Sequence, residues 1–216
     1  MLFVPTIADG GFVRRINPGD VVGGMEPAIP ATDTTNTTFS YTAAIMLGSY
    51  TYVRNPAGVS TDTYPTADAF IQALIGSGQA LAVGTSFRFR VINLSANLLT
   101  GAVTANTGAT MVRGNVLAST TKDFLIQFTN VSPARTVGGI TSVSGSAITT
   151  GWLLADLSAL SVGMVVTNAI VNLQGQTIIG INMAAGSVTF SGNANASQSG
   201  NTITLSGAYT ITGLSA

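Results

Sequence analysis

The chain has 216 residues, and only 7% of them are charged, against about 25% in typical soluble domains. Its eight basic residues balance its eight acidic ones, and a nucleic-acid-binding protein usually needs a cationic excess to displace counterions, so that class is disfavoured. The absence of Cys excludes disulfides and thiolate metal sites, and the absence of His removes the commonest general base. No cofactor is expected. A mean hydropathy of +0.46 argues against intrinsic disorder.

Residues 1–35 are dense in Gly and Pro and hold six of the sixteen charges. Two interpretations stay open, an extended arm that lies over a neighbouring subunit and a loop-rich start to a domain. The most apolar stretches, Ala43–Val53 and Ala159–Val171, are short and interrupted, whereas a membrane-spanning helix needs about 20 apolar residues. We therefore expect no membrane span, and the start of the chain does not resemble a signal peptide.

The next part, residues 36–137, is predicted to be a β-sandwich or jelly roll with one short helix. Thr34–Tyr52 is rich in residues that strands prefer, and Phe87, Phe89 and Val91 alternate with arginines, as in a half-buried strand. Further strands are predicted at Gly101–Ala105, Thr110–Arg113, Asn115–Ala118 and Lys122–Thr129.

The helix is predicted between Tyr64 and Gly76. Thr66 can cap its first turn, Asp68 lies where the helix dipole favours an anion, and Gly76 supplies a stop. Its apolar residues recur at helical spacing. Because about ten residues cannot form a stable helix alone, we expect it to pack on a sheet.

Pro133–Gly139 is interpreted as a linker, and residues 138–216 as a small all-β module. This module holds one charged residue, Asp156, and one tryptophan, Trp152, which is interpreted as a core anchor. Its predicted strands are Ile140–Val143, Ala147–Thr150, Met164–Val171, Thr177–Asn182, Ser187–Ser191, Thr202–Ser206 and Ala208–Thr212.

Few residues could carry chemistry. Arg88 and Arg90 share a strand face and, with Arg113, could contact an anionic ligand or a neighbouring subunit, the alternative being a solvated face. Asp62 and Asp68 are the closest carboxylates in the folded part and could serve a glycoside hydrolase, although Asp68 has a role in the helix start and Asp62 is placed in a loop. We predict no catalytic residue and no metal site.

The tail resembles a small β module of bacteriophage tail-fibre, capsid and surface proteins. The residues that carry the resemblance are Leu160–Val166, Gln176–Ile181 and Ser187–Ser191, followed by Ala194. Two further segments, Val83–Asn93 and Phe124–Asn130, are similar to β segments of virion proteins. The resemblance implies a virion component of the capsid decoration, spike or fibre type, and it transfers no catalytic residue.

Low charge and a β pattern lead to the same expectation, because charge is depleted at the core of interfaces. We expect a non-enzymatic virion structural protein whose partners are copies of itself, with a trimer by analogy to fibres and spikes, and other virion proteins. The alternative is an adhesin that binds a host-surface glycan through some of its five tyrosines. Ile178 is the candidate subunit contact, provided that the module leaves this side chain uncovered.

Overall fold

The computed structural model describes residues 32–34, 38–49, 51–168 and 173–214. Over these residues the chain is mostly β, with three sheets and three short helices, which confirms the predicted fold class at the level of an all-β protein. The strands are β1 (Thr32–Asp33), β2 (Phe39–Ser40), β3 (Thr51–Arg54), β4 (Ser60–Tyr64), β5 (Ser86–Asn93), β6 (Leu99–Val103), β7 (Ala109–Val112), β8 (Thr121–Asn130), β9 (Arg135–Ser142), β10 (Ile148–Thr150), β11 (Val165–Val166), β12 (Ile178–Asn182), β13 (Ser187–Phe190), β14 (Gln198–Ser206) and β15 (Ala208–Gly213). The helices are α1 (Ala43–Gly48), α2 (Ala67–Gly76) and α3 (Leu154–Leu157).

The first six strands alternate between two sheets. Sheet one has the spatial order β1-β3-β5-β8-β15-β7, and sheet two has the order β2-β4-β6. The strands β1, β3 and β5 pair in parallel, and so do β2, β4 and β6, so successive strands alternate between the sheets. A jelly roll joins antiparallel strands. The sequence prediction did not anticipate these parallel ladders.

Sheets one and two share an apolar core. On β5 and β8 the phenylalanines Phe89, Phe124 and Phe128 are fully buried, as their alternation with polar residues predicts. Helix α2 adds its buried residues Phe70 and Ile71 to the same core. The core therefore forms around the aromatic residues that alternate with polar residues in the sequence.

The helix predictions are partly confirmed. Helix α2 begins where expected, because the hydroxyl of Thr66 accepts a hydrogen bond from the backbone N–H of Ala69. Helix α1 lies in the stretch predicted as strand, and Thr42 caps it by accepting from Ile45 N–H. Helix α3 was not predicted. None of the helices among the described residues is long and apolar enough to cross a membrane.

The third sheet closes on itself. Its spatial order is β11-β14-β9-β10-β13-β12, and its two end strands are also linked to each other. Val165 forms a bridge with Thr177, Ile178 N–H donates to the carbonyl of Met164 at 2.8 Å, and Gly163 N–H donates to the carbonyl of Ile178 at 2.9 Å. Closing a sheet pairs the strand edges that would otherwise invite association. The closed sheet, which carries little charge, therefore pairs its strand edges within one chain.

The boundary between the predicted domains needs correction. Strand β9 begins at Arg135, inside the segment interpreted as a linker, and belongs to the closed sheet. Strand β15 follows β14 of the closed sheet along the chain, but it lies in sheet one, between β8 and β7. Two tail residues, Tyr209 and Ile211, thereby enter the first core. The division into 36–137 and 138–216 thus assigns the last strand to the wrong unit. Of the predicted arm, only residues 32–34 lie within the described part.

Candidate functional site

The structure separates the three predicted contact arginines. Arg88 and Arg90 project from the same face of β5, as predicted, but Arg90 is engaged by Asp123 on the neighbouring strand, with Nε–Oδ1 at 2.7 Å and Nη2–Oδ2 at 3.2 Å. Arg113 follows β7, which lies three strands away from β5 in sheet one. At about 4.8 Å per strand, this places Arg113 roughly 14 Å away. The three side chains do not form one anion site.

Arg113 lies instead near the sole lysine of the chain. Burial and the neighbouring Arg113 charge lower the pKa of Lys122, whose Nζ donates to the carbonyl of Asn115 at 2.9 Å. The backbone of Arg113 has a positive φ of 55°, which is uncommon for a residue with a Cβ. Two cationic side chains therefore lie near each other at this end of sheet one, and the lysine already donates to a backbone carbonyl.

Ile178 does not meet the condition set for a subunit contact. Its side chain is 0% exposed and belongs to the core of the closed sheet, together with Val188 and Phe190. The strand is bulged between Ile178 and Gly180, and Ile179, at 57% exposure, is the side chain that faces outward. The candidate contact on β12 is therefore Ile179.

The most unusual polar feature of the described residues is a buried ionic cluster around Arg54. The Arg54 side chain is fully buried and binds Asp62 through two hydrogen bonds of 3.0 Å, from Nε and from Nη2. Its Nη2 also donates to Ser60 Oγ at 2.9 Å, and its Nη1 pairs with Asp33. The guanidinium lies 4.7 Å from the ring centre of Phe39, a cation–π distance. The cluster joins strands β1 and β3 of sheet one to β4 of sheet two.

Two tyrosines complete the cluster. Tyr41 donates its hydroxyl to Asp62 Oδ2 at 3.1 Å, and Tyr52 donates to Asp33 Oδ2 at 3.5 Å. Burial, the nearby Tyr64 and the Asp62 carboxylate raise the pKa of Tyr41 well above its ordinary value. Every group in the cluster has a partner inside the protein, so the cluster fastens two sheets together rather than presenting a reactive group.

The carboxylates considered for hydrolysis have structural roles. Asp62 lies in strand β4, not in a loop, and is bound to Arg54. Asp68 accepts a hydrogen bond from Ala134 N–H at 2.9 Å, which ties helix α2 to the chain that leads into β9. No set of three or more His, Cys, Asp or Glu in the described residues could hold a metal ion.

Most of the tyrosines proposed for glycan stacking are packed inside the protein. Tyr41, Tyr64 and Tyr209 are buried in the first core, and Tyr52 is half-buried against Phe39. Tyr50 lies outside the described residues.

Sequence reasoning missed the Arg54 cluster. A signal was present, because Asp33, Arg54 and Asp62 alternate in sign within strand-like surroundings. What was missing is the parallel register, in which Asp33 pairs with Arg54 on neighbouring strands. No family model matches this chain, and no sequence among the curated proteins matches it at a significant level.

Proposed function

We propose that this chain is a non-enzymatic structural protein of a virion, of the capsid decoration, spike or fibre type, that assembles with copies of itself and with other virion proteins. The observation that carries the proposal is the closed sheet. The first and last strands of this sheet are hydrogen-bonded to each other, and the sheet carries almost no charge. Several of its large apolar side chains are exposed to solvent. Depletion of charge and exposure of apolar side chains are typical of surfaces that become buried in assemblies.

The outward apolar side chains occur on several elements of this sheet. Ile148 on β10 and Ile179 on β12 flank β13 and are each about half exposed. At the start of α3, Leu153 and Leu154 are exposed by more than 60% each. Together they offer neighbouring subunits apolar contacts that need no charged partner.

The contacts of the carboxylates also support a structural role. Each aspartate of the described residues makes an ion pair or a backbone hydrogen bond. Asp33 and Asp62 bind Arg54, Asp123 binds Arg90, Asp156 binds Arg135, and Asp68 binds a backbone N–H. The partners of these carboxylates all belong to the protein itself, so each carboxylate contributes to holding the fold together.

We also propose that sheets one and two form a β-sandwich. Sheets one and two contribute side chains to one core, which is the layering of a sandwich. Its parallel ladders would distinguish this sandwich from those built of antiparallel strands.

Electron microscopy of particles purified from the source tests the proposal. We expect density that fits this chain, in repeated copies related by the particle's symmetry. Recovery of the chain only as a free monomer in cell extracts, with none on particles, would contradict the proposal.

A further inference from the structure

A cleft of about 420 Å³ opens where sheet one meets the closed sheet. One wall is formed by the start of β7, the end of β8 and the start of β15. The other wall is formed by the seam at which the closed sheet closes, around Val165 and Thr177. The volume lies within the range of about 300–1,000 Å³ that is typical of small-molecule sites.

Four polar side chains among the residues that line this cleft make no hydrogen bond to the described part of the protein. Asn106, Thr110, Thr129 and Thr177 line the cleft, and the hydroxyl or carboxamide of each makes no hydrogen bond to another described residue. In contrast, the hydroxyl of Tyr209, another lining residue, donates to the carbonyl of Pro65. Four residues whose side-chain donors and acceptors have no protein partner therefore border one cleft.

Three glycines with positive φ lie in the walls of the cleft. Gly108, Gly163 and Gly175 line it with φ values of 74°, 94° and 80°, which side chains with a Cβ rarely adopt. A Cβ on Gly175 would overlap the carboxamide oxygen of Asn106, and one on Gly108 would overlap the backbone of Gly207. Larger residues at these positions would therefore strain the backbone that forms the walls.

The two walls are fixed relative to each other. Next to the cleft, Asn130 of β8 donates from Nδ2 to Ser161 Oγ at 2.8 Å and to the carbonyl of Val162 at 3.0 Å. Its Oδ1 accepts from Ser132 N–H at 2.9 Å, and the hydroxyls of Ser132 and Ser161 are 2.7 Å apart. In a preorganised cleft, less of the binding free energy is lost in ordering the walls.

We propose that this cleft is a binding site for a neutral saccharide of one or two rings. No charged side chain lines it, so an ionic ligand would lose hydration without an opposing charge. An apolar ligand would leave the hydroxyls and the carboxamide without partners. An uncharged ligand rich in hydroxyls satisfies both conditions. The site is independent of the assembly role proposed above.

Saturation-transfer-difference NMR on the full chain tests the site, with glucose, galactose, mannose, N-acetylglucosamine and their disaccharides as probes at millimolar concentration. We expect saturation transfer to at least one neutral saccharide, and weaker transfer to its sulfated or carboxylated counterpart. If none of the neutral probes receives saturation, the proposal is overturned.

Two variants remove a hydroxyl and keep the side-chain shape. Thr110→Val and Thr177→Val should each weaken binding by about tenfold, the effect of one lost hydrogen bond. Thr150→Val is the matched control, because Thr150 is an exposed strand threonine outside the cleft. Thermal unfolding should be alike for the three variants. Binding that is equal in all three, or lost equally in all three, would overturn the assignment to the cleft.

Discussion

Replacement of Arg54 by Met should destabilise the protein more than any exposed ion-pair variant. The substitution keeps the length of the aliphatic side chain but removes the guanidinium, leaving the buried Asp62 without its two 3.0 Å hydrogen bonds and without an opposing charge. Breaking a buried ion pair on one side costs about 3–5 kcal/mol, because the remaining charge is uncompensated. For a domain whose total stability is about 5–15 kcal/mol, this is a large loss.

Urea denaturation measures the loss of unfolding free energy in this variant. Far-ultraviolet circular dichroism reports on all sheets, whereas the fluorescence of Trp152 reports on the core of the closed sheet. The control is Arg135→Met, which breaks the half-exposed pair with Asp156 and should cost no more than about 1 kcal/mol. In a double-mutant cycle, Arg54→Met with Asp62→Asn should cost less than the sum of the single changes. If Arg54→Met costs no more than Arg135→Met, the cluster does not fasten the two sheets as argued.

Three further outcomes are expected. Ile178→Asp should prevent the closed sheet from folding, because it buries a charge at a fully covered site, whereas Ile179→Asp should leave folding intact and weaken assembly. Gly207→Ala should cost about 1–3 kcal/mol, because a Cβ there would overlap Ile71 and two backbone carbonyls. Above pH 10 the unfolding free energy should fall, by up to about 1.4 kcal/mol per pH unit for each tyrosine with a raised pKa, Tyr64 and Tyr209 among them.

Each of these outcomes has its own check. Circular dichroism and light scattering separate folding from assembly for the two isoleucine variants, and equal loss of both properties in each variant would contradict the assignment. Gly138→Ala, where the nearest contact of a Cβ is an ordinary 3.7 Å, is the control for Gly207→Ala.

The alkaline effect has a definite sign. Burial raises the pKa of the tyrosines in the folded state, so the unfolded chain releases these protons first and unfolding becomes easier as the pH rises. The lowered pKa of Lys122 acts in the opposite direction in the same pH range and reduces the slope. Tyr64→Phe should also make the slope shallower. Stability that is constant between pH 9 and pH 11 would contradict burial of these phenols.

Local features of the fold could be predicted from the sequence. The alternation around Phe89 and around Phe124 gave β5 and β8, and the Thr66 cap gave the start of α2. These signals are local, because side-chain period and capping depend on residues only a few positions apart.

Long-range features could not be predicted. Strand β15 returns to sheet one and pairs Tyr209 with Phe128, although the strands of the closed sheet lie between these two residues in the sequence. No local pattern encodes that choice of partner. Helix α1 was misread because Thr, Tyr and Phe around it favour strands, while the Thr42 cap and the alanines after it favour a helix. On β12 a bulge at Ile179 accompanies the burial of Ile178 and the exposure of Ile179, and the sequence carries no local signal for such a bulge.

Multi-angle light scattering of the purified chain tests the assembly role most directly. The measurement gives molar mass over a range of protein concentrations, at low and high salt. We predict an oligomer whose mass does not change with salt, because its contacts are apolar and hydrogen-bonded and salt screens only exposed charges. A monomer of 21.9 kDa at every concentration and salt would contradict the account.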